Sequence, residues 1–227
     1  MTVEHVHIVK KLLAGNDELA ARNSARLKEA GIFTLNVIAS PGSGKTSLIS
    51  RTIEALSGRA AVGVVEGDVA GTIDTEKVLA AGAVDAVQIN TGGGCHLEAG
   101  MVQEALESID LGRVDVLFIE NIGNLICPTA FALGEDVKVC LASAPEGDDK
   151  PVKYPEIFAS ADVVVLNKID LAPLVDFDRD RFLGSVRALN PDAPIFEMSC
   201  RNGSGVAAWA GWILERAAAP LAAEGSR

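Results

Sequence analysis

An apolar run, Thr34–Ala39, leads directly into Ser40-Pro-Gly-Ser-Gly-Lys-Thr46, and a helical pattern follows from about Lys45 to Leu56. Strand, glycine-rich loop and helix in this order make a phosphate-binding loop, G-x-x-x-x-G-K-S/T, with Ala39 in place of the first glycine. Gly42 and Gly44 let successive backbone N–H groups turn inward around phosphate oxygens without a Cβ in the way. The start of the helix adds its partial positive charge. Lys45 is placed to reach the β- and γ-phosphates, the Thr46 hydroxyl to ligate Mg²⁺, and Ser43 and Ser47 complete the cradle. A nucleoside triphosphate site is expected here.

The remaining pattern suits such a site. Six further apolar runs, Ala61–Glu66, Asp85–Asn90, Val114–Glu120, Val137–Ala142, Val163–Asn167 and Ile195–Met198, are continuous rather than alternating. Strands buried on both faces of a parallel sheet read this way. Helical faces fall between them, as in Leu97, Met101, Ala105 and Ile109; Phe182, Val186 and Leu189; and Val206, Ala210, Ile213 and Ala217. The expected class is therefore an α/β P-loop NTPase, a mostly parallel central sheet flanked by helices. Two short helices are expected ahead of it. One carries Val6, Val9 and Leu13 and breaks at Gly15-Asn16; the second is capped by Asp17 and ends before Gly31. The chain divides on this reading into a helical N-terminal extension (1–31), the NTPase domain (32–218) and a flexible tail (219–227).

Composition narrows the setting. A formal net charge of −11 argues against a non-specific nucleic-acid binder, which needs a basic face for phosphates. The longest uncharged stretch, Ala30–Gly44, holds Asn36, Ser40, Pro41 and three glycines, so no membrane-spanning helix is expected. Met1-Thr-Val-Glu-His-Val-His7 lacks a basic region followed by an apolar one, and four cysteines do not resemble a disulfide framework. A cytoplasmic protein with reduced thiols is the expectation.

Asn167-Lys-Ile-Asp170 closes the sixth run and matches the N-K-x-D element of GTP-binding domains. A carboxylate at Asp170 can accept from guanine N1–H and the 2-amino group, whereas adenine offers no such donor pair. Lys168 can lie along the base plane, Asn167 can tie its loop to the phosphate loop, and Ser199-Cys200-Arg201 can cover the base. GTP is thus favoured over ATP, against the alternative of a small-molecule kinase. Glu66-Gly-Asp68 and Glu120 end strands at the edge where open α/β sheets bind ligands. Asp68 and Glu120 are the candidates for Mg²⁺ coordination and for orienting the attacking water, alongside Lys45. No internal arginine finger stands out, so slow intrinsic hydrolysis is expected.

Cys95-His96 and Cys127 follow two of these strands and should lie on the same face. Their donor set suits borderline or soft ions such as Ni²⁺ and Zn²⁺. Cys95 is expected to begin a helix whose N-terminal field lowers its thiol pKa. Three ligands leave a tetrahedral site incomplete, which a two-fold related subunit could finish. Buried, chemically idle cysteines are the competing reading; Cys140 and Cys200 are expected to be of that kind.

Taken together, Ser40–Thr46, Glu66-Gly-Asp68, Gly94-Cys-His-Leu97, Phe118–Pro128, Glu146-Gly-Asp-Asp-Lys-Pro-Val-Lys-Tyr-Pro155 and Asn167–Asp170 resemble the hydrogenase nickel-incorporation GTPases of the HypB type. The resemblance runs from Leu19 to Trp212. It implies a GTPase that dimerises with its nucleotide, carries nickel or zinc at the subunit interface through Cys95, His96 and Cys127, and serves nickel–iron hydrogenase maturation. The implied partners are a maturation accessory protein and the hydrogenase large subunit. Many members also carry an N-terminal cysteine motif or histidine-rich stretch; here only His5 and His7 occur, so tight metal storage is not expected. Two further expectations come from the residues themselves, with a solvated turn and ordinary core as their respective alternatives. Lys150, Lys153 and Tyr154 form a basic loop that could sense triphosphate across a dimer, and Leu171, Leu174 and Val175 could form a dimer patch. A urease-type accessory GTPase and a nucleotide-independent metal-binding protein are the alternatives.

Overall fold

The computed structural model describes residues 8–68 and 73–218. Its centre is a seven-stranded, wholly parallel sheet in the order β3-β2-β4-β1-β5-β6-β7. The strands are β1 (Phe33–Ala39), β2 (Val62–Asp68), β3 (Asp85–Asn90), β4 (Val116–Glu120), β5 (Val137–Ser143), β6 (Val163–Asn167) and β7 (Ile195–Glu197). β1 lies in the middle and every one of its residues is buried, which explains why its sequence shows no alternation. One core fills the face under α2 (Lys45–Leu56) and α8 (Val206–Ala218), where Leu48, Ile53, Phe118 and Trp209 pack. On the opposite face, α4 (Ala99–Glu107) and the end of α1 (Ile8–Glu29) close one cluster around Leu97 and Leu106. α6 (Pro155–Ser160) and α7 (Arg179–Leu189) close another around Phe158 and Phe182.

The strand bounds agree with the apolar runs to within two residues. The N-terminal segment does not follow the expectation: α1 is one continuous helix through Gly15 and Asn16. A glycine inside a helix costs about 1 kcal/mol relative to alanine, but tertiary bonds outweigh it. The buried Asn16 amide donates to Ala132 O at 2.8 Å and accepts from Ala99 N at 2.8 Å. Two turns further, Asn23 donates to Ala99 O and Leu133 O, each at 2.9 Å. Asp17 is consequently an exposed mid-helix residue rather than a cap. Val6 and the 219–227 tail lie outside the described residues. Lys150–Lys153 is a single helical turn, α5, instead of a loop.

Gly205, at the turn into α8, has φ +77°, and a Cβ there would collide with the carbonyl oxygen of Glu197. Gly205→Ala is expected to destabilise the fold by about 3 kcal/mol from strain plus backbone displacement. That corresponds to a melting temperature lower by roughly 6–12 °C, measured by thermal denaturation of the two proteins side by side.

Candidate nucleotide and metal sites

Every strand points its carboxyl end to one edge of the sheet, and both candidate sites lie along that edge. A cavity of about 870 Å³ opens over the start of α2, walled by Gly42, Gly44, Lys45, Thr46 and Ser47. Its far wall is Asn167, Lys168, Asp170, Cys200 and Arg201. Gly42 and Gly44 both have positive φ, +77° and +100°, as inward-turned amides require. The expected tie between base loop and phosphate loop is present: Asn167 Nδ2 donates to Ser43 O at 3.0 Å, and its Oδ1 accepts from Cys200 N at 3.1 Å. Lys168, held in the left-handed region at φ +58°, donates to Gly42 O at 2.5 Å. The base loop is thereby braced on the phosphate loop from two residues.

Ser43 and Ser199 are fully buried behind the walls and act as supports. Ser43 Oγ lies 2.7 Å from Glu146 Oε2, which Ser143 Oγ also reaches at 2.8 Å. Glu146 Oε1 is 3.5 Å from Lys150 Nζ, and that ammonium is 3.3 Å from Ser40 Oγ. Lys150 is thus part of the phosphate loop's scaffold, while Lys153 pairs with Asp149 at 2.5 Å on the surface.

At the phosphate end Thr46 Oγ1 donates to Glu120 Oε1 at 3.0 Å, and Glu120 Oε2 is buried without a hydrogen-bond partner. Burial raises the Glu120 carboxyl to about 7, with Lys45 pulling the other way and Glu66, its register neighbour on β2, adding to the rise. An orphaned buried carboxylate oxygen beside a hydroxyl suits a hard divalent cation, which binds through oxygen. Asp68 ends β2 outside the cavity walls, just before residues beyond those described. Glu66 is more deeply placed: it is buried, accepts from Thr75 Oγ1 at 2.5 Å, and burial raises its pKa.

Sequence reasoning missed α3 (Ile73–Ala80), which brings Asp74 and Lys77 to the cavity, paired at 2.5 Å. An Asp-x-x-Lys spacing is too common on helices to have signalled this. Of the expected dimer patch, Leu174 and Val175 are exposed, while Leu171 faces the cavity.

Two loops away, Cys95, His96 and Cys127 come together, their ligand atoms all within 4.8 Å of one another. The first two follow β3; Cys127 follows β4 and opens a 3₁₀ turn to Ala130. Cys95 does not begin a helix, since α4 starts at Ala99. Its thiol is pushed up, contrary to expectation, first by its hydrogen bond with Cys127, then by desolvation and by the Cys127 charge. The loop has its own frame: Asn124 Nδ2 donates to Cys95 O at 3.2 Å, and His96 stacks on Phe131 with ring centroids 4.0 Å apart. Cys140 and Cys200 are buried, and burial raises both thiols, Cys200 to about 11.

The two sites touch. Gly123, between Glu120 and Cys127, lies against Pro41 of the phosphate loop, where a Cβ would sit 3.0–3.1 Å from Pro41 atoms. The segment that carries a metal ligand therefore rests directly on the segment that would hold phosphate.

Residues 33–197 match the family model for the CobW/HypB/UreG nucleotide-binding domain. The hydrogenase maturation factor HypB of Azotobacter vinelandii is 49% identical over 208 residues, 92% of this chain and 68% of that protein. Among solved structures, HypB of Archaeoglobus fulgidus superposes with a TM-score of 0.84 at 40% identity, covering 90% of this chain and 99% of that one. HypB of Helicobacter pylori, solved in complex with nickel, gives 0.87 at 35% identity, covering 94% and 100%. Sequence and fold agree over the same span, and the chain belongs to the HypB family of hydrogenase maturation factors.

Proposed function

We propose that this protein is a slow, Mg²⁺-dependent GTPase that carries nickel as cargo for nickel–iron hydrogenase maturation and dimerises with GTP bound. The observation that carries the reading is the contact of Gly123 with Pro41, which joins the Cys127 loop to the phosphate loop. A γ-phosphate that shifts the phosphate loop would move a metal ligand without a longer relay, and the switch requires that the two nucleotide states differ in free energy of metal binding. Thr46 and Glu120 would hold Mg²⁺, whose charge would offset that of the phosphates. Lys45 would bind the β- and γ-phosphates, and Asp170 would select guanine. Hydrolysis would add water to the γ-phosphorus and release GDP and phosphate. Asp68 and Glu120 are the groups proposed to orient that water.

The domain limits 32–218, a cytoplasmic location, and an accessory protein and hydrogenase large subunit as partners belong to the same proposal. No described helix is long and apolar enough to cross a membrane. Zinc could occupy the same three donors.

The test is a nickel titration of the apo protein, followed by thiolate-to-nickel absorbance, with GDP–Mg²⁺ and with a non-hydrolysable GTP analogue and Mg²⁺. We expect a band lost in Cys127→Ser and an affinity that differs between nucleotides by roughly 5-fold or more, the usual lower limit of allosteric coupling. Identical curves would favour the nucleotide-independent metal-binding protein.

A further inference from the structure

His96 is held on two sides and open on a third. Its Nδ1 lies 3.5 Å from Cys95 Sγ, its ring stacks on Phe131 at a 32° tilt, and its Nε2 is buried without a hydrogen-bond partner. Nε2 nevertheless has a carboxylate within reach, since Glu98 Oε1 is 3.8 Å away. A neutral imidazole carries one N–H, and the group facing one nitrogen decides the state of the other. A nitrogen that ligates a cation must be unprotonated. The proton then belongs on Nε2, where Glu98 waits.

We infer that Glu98 is a positioning residue of the metal site, taking the Nε2–H of His96 and so presenting Nδ1 as the donor atom to the divalent cation. The inference rests on the reading of Cys95, His96 and Cys127 as a metal site. The Glu98 side chain is 56% exposed, and the inference requires it to close the remaining gap to hydrogen-bond length. An ion-facing imidazole backed by a carboxylate is fixed in tautomer and made a stronger base, and loss of such a partner commonly lowers metal affinity 10–100-fold. Glu98 is suited to a clean test because, although it holds the N-cap position of α4, it caps through its backbone carbonyl alone: its side chain makes no cap hydrogen bond.

Two measurements decide the matter. In zinc-loaded protein, long-range ¹⁵N–¹H correlation of the His96 ring should show Nδ1 bound to the metal and Nε2 protonated. In competition titrations with nickel ion alone, Glu98→Ala should lose roughly 10–100-fold in affinity, with Glu98→Asp recovering most of it. GTP affinity should be unchanged in both variants. Zinc on Nε2, or wild-type affinity in Glu98→Ala, would overturn the inference while leaving the metal site standing. A wild-type protein with no cysteine-dependent nickel band would overturn both.

Discussion

Gly44→Ala is expected to weaken GTP binding by about 10³-fold. Gly44 has φ +100° and ψ 38°, a conformation in which an L side chain is strained. A Cβ there would lie 2.6 Å from Asn167 Nδ2, the atom that donates to Ser43 O. The substitution strains the phosphate loop and breaks the tie to the base loop together. Strain of about 1–3 kcal/mol and a buried amide left unpaired at about 1–3 kcal/mol sum to about 4 kcal/mol at mid-range. Calorimetric titration with GTP checks the value, and a thermal melt on the same samples separates it from a loss of fold. An affinity within tenfold of wild type would mean that the base loop does not depend on this tie.

Asp170→Asn is expected to change the base that is bound. The carboxylate accepts from both N1–H and the 2-amino group of guanine under the proposed pose, and charge-assisted hydrogen bonds contribute about 1.5–3 kcal/mol each. Asparagine keeps one acceptor and turns an N–H₂ donor toward the 2-position. That donor clashes with the guanine amino group but matches the 2-oxo group of xanthine. GTP affinity should fall by about 10³-fold and XTP affinity should rise above it, read by competition against a fluorescent nucleotide. Unaltered preference for GTP would remove Asp170 from the base site. Folding is not at risk, because Asp170 lies in a turn with no buried residues.

The strands were legible because sheet burial on two faces leaves a continuous, largely apolar run, and the phosphate loop because its chemistry restricts residues position by position. The base-loop braces were partly legible: the role of Asn167 follows from its motif, whereas the scaffold of Glu146, Ser143 and Lys150 beneath Ser43 depends on β5 and β1 being neighbours. Where local signals failed, a distant partner had won. Gly15-Asn16 reads as a break, yet two bonds from Asn16 to residues about a hundred positions away keep the helix intact. Cys95 reads as a helix start, but the turn waits until Ala99 while the Cys95 carbonyl is held by Asn124. Glu98 carried no signal at all, since an acid near a helix start is ordinary; only the unpartnered Nε2 of His96 gives it a purpose.

The strand order separates two kinds of information. β6 and β7, whose loops carry the residues proposed to read the nucleobase, lie on one side of β1, and β4, β2 and β3, two of whose loops carry the thiols, lie on the other. A nucleotide bound across β1 spans that divide with only its phosphate tail on the cargo side. Under the proposed function the nucleobase would govern how long the molecule stays, and the length of the tail would be the message that reaches the metal. A chain retuned to xanthine would receive the same message in a different alphabet, so its cargo release could be driven apart from that of every ordinary GTPase in the same cell.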